Sequence, residues 1–284
     1  MQLTRTLNNG MEMPRLGMGT WYLGDDPRTE PAEIRALQAG IDAGLTLIDT
    51  AELYGYGKSE TLIGKAIRDC DRSKLFLVSK VLPGNAGRKN LQKSLELSLS
   101  ELGTDYLDLY LLHWRGNIPL AETVECLEEQ VQAGKIRGWG VSNFDREDME
   151  ELWSIPGGNH CLVNQDLYHL GSRGIEYDLL PWMREQNVAL MAYCPLAQAG
   201  SLRRSLLNSD AVRTVAEAHG ITPIQVLLAF VLHEELAIAI PRSGKAEHVL
   251  LNAAVREVEL TEEEFRLLDD AFPAPDHKTY LDIV

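Results

Sequence analysis

Eight short β-rich runs recur along the 284 residues, each separated from the next by a stretch with helical spacing of its apolar positions. The runs fall at 16–20, 45–49, 75–80, 107–113, 136–142, 161–165, 188–193 and 237–240. Helical patterns lie between them at 32–43, 60–68, 91–102, 120–133, 146–153, 175–186 and 211–218. A further apolar stretch at 225–232 supplies an extra helix before the eighth run, and 262–270 reads as another near the C-terminus. Runs such as LYLLH and VALMAY are apolar on consecutive residues. Strands buried on both faces of an all-parallel sheet carry that pattern, whereas a half-exposed strand alternates. Pro31 and Thr222-Pro223 mark helix starts, and Gly44 and Gly134 mark ends. With no break in composition, the pattern predicts an α/β fold, a closed (β/α)8 TIM barrel occupying 1–284 as one domain.

Both ends depart from the repeat. Residues 3–7 and 11–13 flank Asn8-Asn9-Gly10 and read as a β-hairpin around an Asn-Gly turn, placed to plug the bottom of the barrel. From Phe272 the chain (FPAPDHKTYLDIV) is Pro-rich and irregular, a tail either lying across the barrel mouth or loose.

A net charge of −15 argues against nucleic acid or an anionic membrane as partner, since phosphate binding needs clustered Lys and Arg. The longest unbroken apolar run, 226–232, is far short of the roughly 18 residues a membrane helix needs. The first twenty residues hold no apolar core of a secretion signal. The four cysteines (Cys70, Cys126, Cys161 and Cys194) are widely spaced without a C-x-x-C pair, as in a reduced cytoplasmic protein. No unexplained apolar patch suggests self-association, so a monomer is the expectation.

Several familiar motifs are missing. Leu16–Tyr22 (LGMGTWY) begins like a dinucleotide fingerprint, but Tyr22 stands where the third glycine belongs and no helix follows. There is no phosphate-binding P-loop, no G-x-S-x-G elbow and no H-E-x-x-H helix, and no histidine pair has metal-ligand spacing. No metal is expected.

In an α/β barrel the chemistry sits at the C-terminal ends of the strands, where the βα loops converge. There the second run ends at Asp49, with Tyr54 five residues on, the third at Lys80 and the fourth at His113. These residue types make a proton donor. A phenol near pKa 10 is a weak acid at neutral pH, and an adjacent ammonium stabilises the phenolate and lowers that value. A carboxylate keeps the lysine charged, and a histidine orients a carbonyl or shares the proton. Singly, each has an ordinary explanation as a cap, a snorkelling lysine, a core histidine or a packing aromatic. Four together on one face are harder to dismiss.

Asp49 and Tyr54 in LIDTAELYG, Lys80 in VSK and His113 in LLHW resemble the catalytic tetrad of the aldo-keto reductases. The resemblance continues through GKIRGWGVSNF at 134–144, Asn164-Gln165, AYCPL at 192–196 and IPRS at 240–243. The stretch YHLGSRGIEYDLLPW at 168–182 looks especially like bacterial members that reduce methylglyoxal. The resemblance implies an NADPH-dependent oxidoreductase that reduces small aldehydes or ketones, with Tyr54 as general acid, Lys80 and Asp49 lowering its pKa, and His113 orienting the carbonyl. It also implies that Ser142, Asn143 and Gln165 bind the nicotinamide carboxamide and that Tyr193 stacks on the ring. Gly19, Thr20, Trp21, Asp49, Cys194 and Leu196 join the cofactor contacts. Arg242 and Ser243 match phosphate-binding positions and Asn252 an adenine contact. His248 stands where many members have arginine and Leu251 where many have glutamate; Lys245 is placed to compensate. Trp21, Tyr22, Tyr54, His113 and Trp114, with the tail near Tyr280, would line the substrate pocket.

Two other readings remain open on sequence alone. One is a cofactor-binding regulatory module with slow or incidental carbonyl reduction. The other is a metal-assisted barrel isomerase using Asp49, Glu52 and His113, which lacks supporting ligand spacing.

Overall fold

The computed structural model of the chain describes residues 2–284. It opens with an antiparallel hairpin, β1 (Thr4–Thr6) and β2 (Glu12–Pro14), in which Thr4 pairs with Pro14 and Thr6 with Glu12. Eight parallel strands follow: β3 (Gly17–Gly19), β4 (Leu47–Asp49), β5 (Phe76–Val81), β6 (Leu109–Leu112), β7 (Trp139–Ser142), β8 (Val163–Leu167), β9 (Ala189–Tyr193) and β10 (Ala237–Ala239). Each pairs with its neighbour in sequence. Parallel bridges from Leu16 to Ala239 and from Gly19 to Arg242 join the last strand to the first and close the barrel.

Two apolar clusters explain why the strands are hydrophobic on consecutive residues. Leu47, Phe76, Val78, Leu109, Leu111, Val163, Ala189, Met191 and Ile238 fill the barrel interior. Leu77, Val81, Tyr110, Leu112, Val141, Leu190 and Ala239, the alternate positions, pack outward under the helices. Leu7, Met11 and Met13 of the hairpin belong to the interior cluster, so the hairpin seals the N-terminal end of the barrel.

The helices are α1 (Glu30–Asp42), α2 (Lys58–Ile67), α3 (Leu91–Leu102), α4 (Leu120–Gln132), α5 (Arg146–Trp153), α6 (Leu179–Gln186), α7 (Ser201–Asn208), α8 (Asp210–His219), α9 (Pro223–His233), α10 (Ala246–Ala254) and α11 (Glu262–Ala271). Thr222 caps α9 in a reciprocal box with Gln225. The expected helix at 175–186 is instead a 3-10 turn at Gly174–Glu176 followed by α6. Pro181 lies in the first turn of α6. It has no N–H, and its ring would clash with the carbonyl four residues back, so the helix cannot run unbroken through Tyr177. The sequence pattern does not announce α7 or α10. α7 buries only Leu206, too little apolar area to imprint a period, and in α10 three consecutive apolar residues (249–251) blur one. Among the described residues no single helix is long and apolar enough to cross a membrane.

The C-terminal tail is anchored. Ser172 Oγ donates to Asp282 Oδ2 at 2.5 Å, Lys278 pairs with Glu147 and Asp178, and Leu281 packs against the outer core. The tail therefore lies along the loop after β8. Tyr280 is 99% exposed, so its ring does not line the pocket as expected.

The closing seam depends on Gly19. A Cβ there would stand 2.7 Å from the carbonyl oxygen of Ile240, backbone that cannot yield without parting the strands. Gly19→Ala is expected to cost about 1–3 kcal/mol, read as a lower midpoint in urea at unchanged slope. An unchanged midpoint would show that the seam carries no such constraint.

Candidate active site

Stepping by two along each strand from the apolar interior leads to a polar layer at the C-terminal end. Leu47 leads to Asp49, Phe76 and Val78 to Lys80, Leu109 and Leu111 to His113, Val163 to Gln165, and Ala189 and Met191 to Tyr193. The barrel thus carries its polar groups in one layer at the mouth.

Lys80 is fully buried. Its Nζ donates to Asp49 Oδ2 at 2.7 Å, to the Thr50 carbonyl at 2.7 Å and to Tyr54 Oη at 3.2 Å. Those three acceptors match the three protons of an ammonium. Gln165 Nε2 reaches across the barrel to Asp49 Oδ1 at 2.8 Å, so both carboxylate oxygens are engaged. Burial pushes the Asp49 carboxyl up and the Lys80 ammonium down, and each is opposed by the charge of the other.

Tyr54 departs from expectation. Burial, followed by the negative charge of Asp49, raises its phenol well above the ordinary value rather than lowering it. Lys80 is matched by Asp49, so the phenol faces a compensated pair rather than a bare cation. Because the phenolic oxygen accepts from Lys80, its own proton is directed elsewhere. Tyr54 stands on a turn in which Gly55 and Tyr56 are left-handed (φ +58° and +55°), between β4 and α2.

His113 is buried and stands edge-on to Tyr54, ring centres 5.8 Å apart. Burial, then the charge of Lys80, pulls its pKa down to about 3, so it is a neutral imidazole at physiological pH. Trp21 lies 6.4 Å from Tyr54 and stacks on Tyr22, and Trp114 lies 4.8 Å from His113. Tyr22 and Trp114 are exposed. These aromatics stand around Tyr54 and His113 at the mouth of the barrel.

Ser142, Asn143 and Tyr193 form one hydrogen-bonded set. Ser142 Oγ donates to the Gln165 carbonyl at 2.8 Å, and Asn143 Nδ2 donates to Ser142 Oγ and to the His113 carbonyl, both at 3.1 Å. Tyr193 Oη donates to Asn143 Oδ1 at 2.8 Å. Asn143 is left-handed (φ +57°), a conformation asparagine tolerates better than most residues, and that turns its amide back over the strand ends. Cys194 is half-buried and Leu196 buried beyond Tyr193.

The residues after β10 form a separate group. Arg242, bridged to Gly19, donates from Nε to the Trp21 carbonyl at 3.0 Å. Ser243 Oγ accepts from the Lys245 amide at 3.2 Å. His248 is exposed on α10 beside Glu247, and Asn252 is buried on the same helix. Of this group, Arg242 is the residue tied to the Trp21 loop.

Sequence reasoning named Thr20 only as a cofactor contact and missed Thr50 and Ser59, which support the layer from beneath. Thr20 Oγ1 donates to the Asp49 carbonyl, Ser59 Oγ donates to Thr20 Oγ1 at 2.8 Å, and Thr50 Oγ1 donates to Ser59 Oγ at 3.2 Å, binding α2 to β3 and β4. Their signal was the placement of small hydroxyl residues at strand ends and at the start of α2. Glu52 accepts from the Leu82 amide and from Asn85, so it braces a loop instead of joining Asp49 and His113 as a metal ligand.

A closed (β/α)8 barrel that gathers a tyrosine, a lysine–aspartate pair and a neutral histidine at its strand ends defines an oxidoreductase of the barrel type. The chain belongs to the aldo/keto reductase family, which it matches over residues 15–272. Methylglyoxal reductase YeaE of Escherichia coli is 54% identical over 96% of both chains. Glyoxal reductase of Bacillus subtilis is 34% identical, covering 94% of this chain and 91% of its own length. An aldo/keto reductase of Klebsiella pneumoniae, solved in complex with NADP and acetate, superposes with a TM-score of 0.96 at 50% identity over the whole of both chains.

The depressed His113 value has a consequence for stability. An imidazole that titrates at 6.5 when unfolded and about 3 when folded supports the fold fully above pH 6.5 and progressively loses that support as pH falls toward 3. His113→Gln is therefore expected to lose less thermal stability than the parent between pH 6.5 and 4, measured by calorimetry across that range. Parallel curves for the two proteins would contradict a neutral buried His113.

Proposed function

We propose that this chain is an NADPH-dependent reductase of small aldehydes and ketones, with 2-oxoaldehydes such as methylglyoxal as its substrate class. The observation that carries the reading is the threefold hydrogen bonding of Lys80 to Asp49, Thr50 and Tyr54, which aims a protonated phenol into an aromatic-lined mouth. The similarity to YeaE and to the Bacillus glyoxal reductase supports the substrate class. The similarity to the Klebsiella reductase, solved with NADP bound, supports the cofactor.

The residues present fit a nicotinamide dinucleotide. Ser142, Asn143 and Gln165 offer a donor–acceptor set for a carboxamide, and Tyr193 presents an aromatic side chain next to it. Thr20 follows β3, and Cys194 and Leu196 follow β9, at the same C-terminal end of the barrel. Arg242, Ser243 and Lys245 supply local positive charge and hydroxyl for a 2′-phosphate in an otherwise acidic chain, with His248 and Asn252 of α10 flanking an adenine. When bound, NADPH supplies the hydride.

The chain's own groups do the rest. His113, neutral, donates a hydrogen bond that fixes the carbonyl oxygen without competing for the proton. Tyr54 delivers its proton to that oxygen as negative charge develops there. Lys80 then stabilises the phenolate left behind, and Asp49 with Gln165 holds Lys80 in register. Trp21, Tyr22 and Trp114 give an apolar wall that suits a small, poorly hydrated carbonyl. All of these groups lie in the one barrel domain of 1–284, and its four free thiols suit a reducing cytoplasm.

Tyr54→Phe is expected to lower kcat by about 10²–10⁴ with methylglyoxal while leaving NADPH affinity nearly unchanged, measured by NADPH absorbance and fluorescence titration. Turnover equal to the parent's would refute Tyr54 as the acid. Arg242→Ala should weaken NADPH binding about ten- to a hundredfold and NADH binding little. An equal loss for both cofactors would remove the phosphate assignment.

A further inference from the structure

Behind the wall that carries Lys80, outside the barrel interior, lies a second polar cluster. Glu60 stands in the first turn of α2 with 1% of its surface exposed, and Glu101 stands at the end of α3. Their carboxyl groups face one another within hydrogen-bonding reach, a geometry that requires a proton on one of them. Ser79, the residue before Lys80 on β5, donates from Oγ to Glu60 Oε1 at 2.6 Å. The other end of the pair meets the turn that carries Tyr54. Gly57, left-handed at φ +88°, packs so closely on Glu101 that a Cβ there would collide with the carboxylate. Glu101 Oε2, the buried oxygen against Gly57, accepts from no N–H or O–H donor among the described residues.

From this geometry we propose that the buried Glu60 and the half-buried Glu101 share one proton and act as positioning residues for carbonyl reduction. The pair holds the Lys80 strand through Ser79 and the Tyr54 turn through Gly57. The inference rests on the reductase reading above. Loss of the shared proton would leave two carboxylates facing each other, that of Glu60 fully buried. Their repulsion then acts on both Gly57 and Ser79, the two braces that set the Lys80–Tyr54 distance.

The surrounding charges agree. Burial pushes the Glu60 carboxyl up to about 7, with Glu101 on α3 and Glu52 in the loop after β4 adding to the rise and Ser79 and Ser98 opposing it. From β5 the Glu60 charge acts on Lys80, and from β6 the phenol of Tyr110 faces the same space. Toward α1, the charged contact of α2 is the surface pair of Lys65 and Glu30. No cation enters the pair as a direct partner among the described residues.

The test uses the full chain with NADPH and methylglyoxal from about pH 5.5 to 9, for the parent, E60Q and E101Q, with the Tyr54→Phe protein as the inactive reference. The parent's kcat is expected to fall about three- to tenfold across a window centred near pH 7, with KM for NADPH steady. E60Q should lack that inflection, whatever the height of its profile. In E101Q the inflection should move to lower pH, because Glu60 has lost its like-charged neighbour. Thermal midpoints give a second readout. A carboxyl held at about 7 when folded but 4.5 when unfolded lowers stability as pH rises between those values, and E60Q removes that decline. The parent's inflection surviving in E60Q, or in E101Q at its original position should E60Q not fold, overturns the inference while the reductase reading stands. A parent protein without turnover overturns the reading and the inference together.

Discussion

Lys80 carries a charge at a depth where no solvent reaches it, and the rest of the site is arranged to make that tolerable. Burying an ammonium costs several kcal/mol even after relaxation, so each of its protons must find an acceptor. Asp49, Thr50 and Tyr54 provide those acceptors, and they come from one strand end and the loop that follows it. The loop between β4 and α2 is thereby tied to β5. Gln165 extends the tie to the opposite side of the barrel by engaging the second oxygen of Asp49. Removing either member of such a pair leaves an uncompensated buried charge, typically a loss of about 3–5 kcal/mol. Fold and chemistry therefore share one interaction here.

The same pair accounts for the electrostatics of the two groups above it. A lone ammonium next to a phenol would lower its pKa, but an ammonium already matched by a carboxylate leaves burial in control. The resting enzyme keeps its acid proton in place at neutral pH, and the benefit of Lys80 is felt only once a phenolate forms. His113 feels the Lys80 charge in the opposite sense, since two cations in one buried space repel, and it stays neutral. A neutral imidazole beside a protonated phenol gives a donor for orientation and a separate donor for proton transfer. Burial and the Lys80 charge, more than residue type, keep those two roles apart.

What the sequence made legible follows from its periods. Strand runs buried on both faces identified the barrel, and the last residue of the second, third and fourth runs picked out Asp49, Lys80 and His113, because the inward face continues at every second residue. The Asn-Gly turn placed the hairpin, whose Leu7, Met11 and Met13 do fill the barrel floor. Contacts between residues far apart in the chain leave no such period. Nothing local to Gln165 announces its bond to Asp49, 116 residues away. The left-handed turns at Asn143 and Cys194, the break before α6 and the outward pose of Tyr280 depend equally on tertiary context. Direction was also lost for Tyr54, since a sequence shows which charges are near but not which are already matched.

The seam of the barrel joins the two ends of the site. Gly19 and Arg242 are bridged where the last strand meets the first, and the Arg242 side chain crosses that seam to hold the Trp21 carbonyl. Trp21 in turn stacks on Tyr22 and lies beside Tyr54 at the mouth. A guanidinium that grips an anion on one edge keeps the donors of its other edge, because its planar fork presents five N–H groups in fixed directions. Phosphate bound at Arg242 would therefore immobilise the same group that positions Trp21. In a protein of net charge −15, a cation at this seam both offsets the repulsion an anionic ligand would meet and links its docking to the wall of the substrate pocket. A lysine there would hold the charge but not the geometry, since a single ammonium on a flexible stem cannot fix two directions at once.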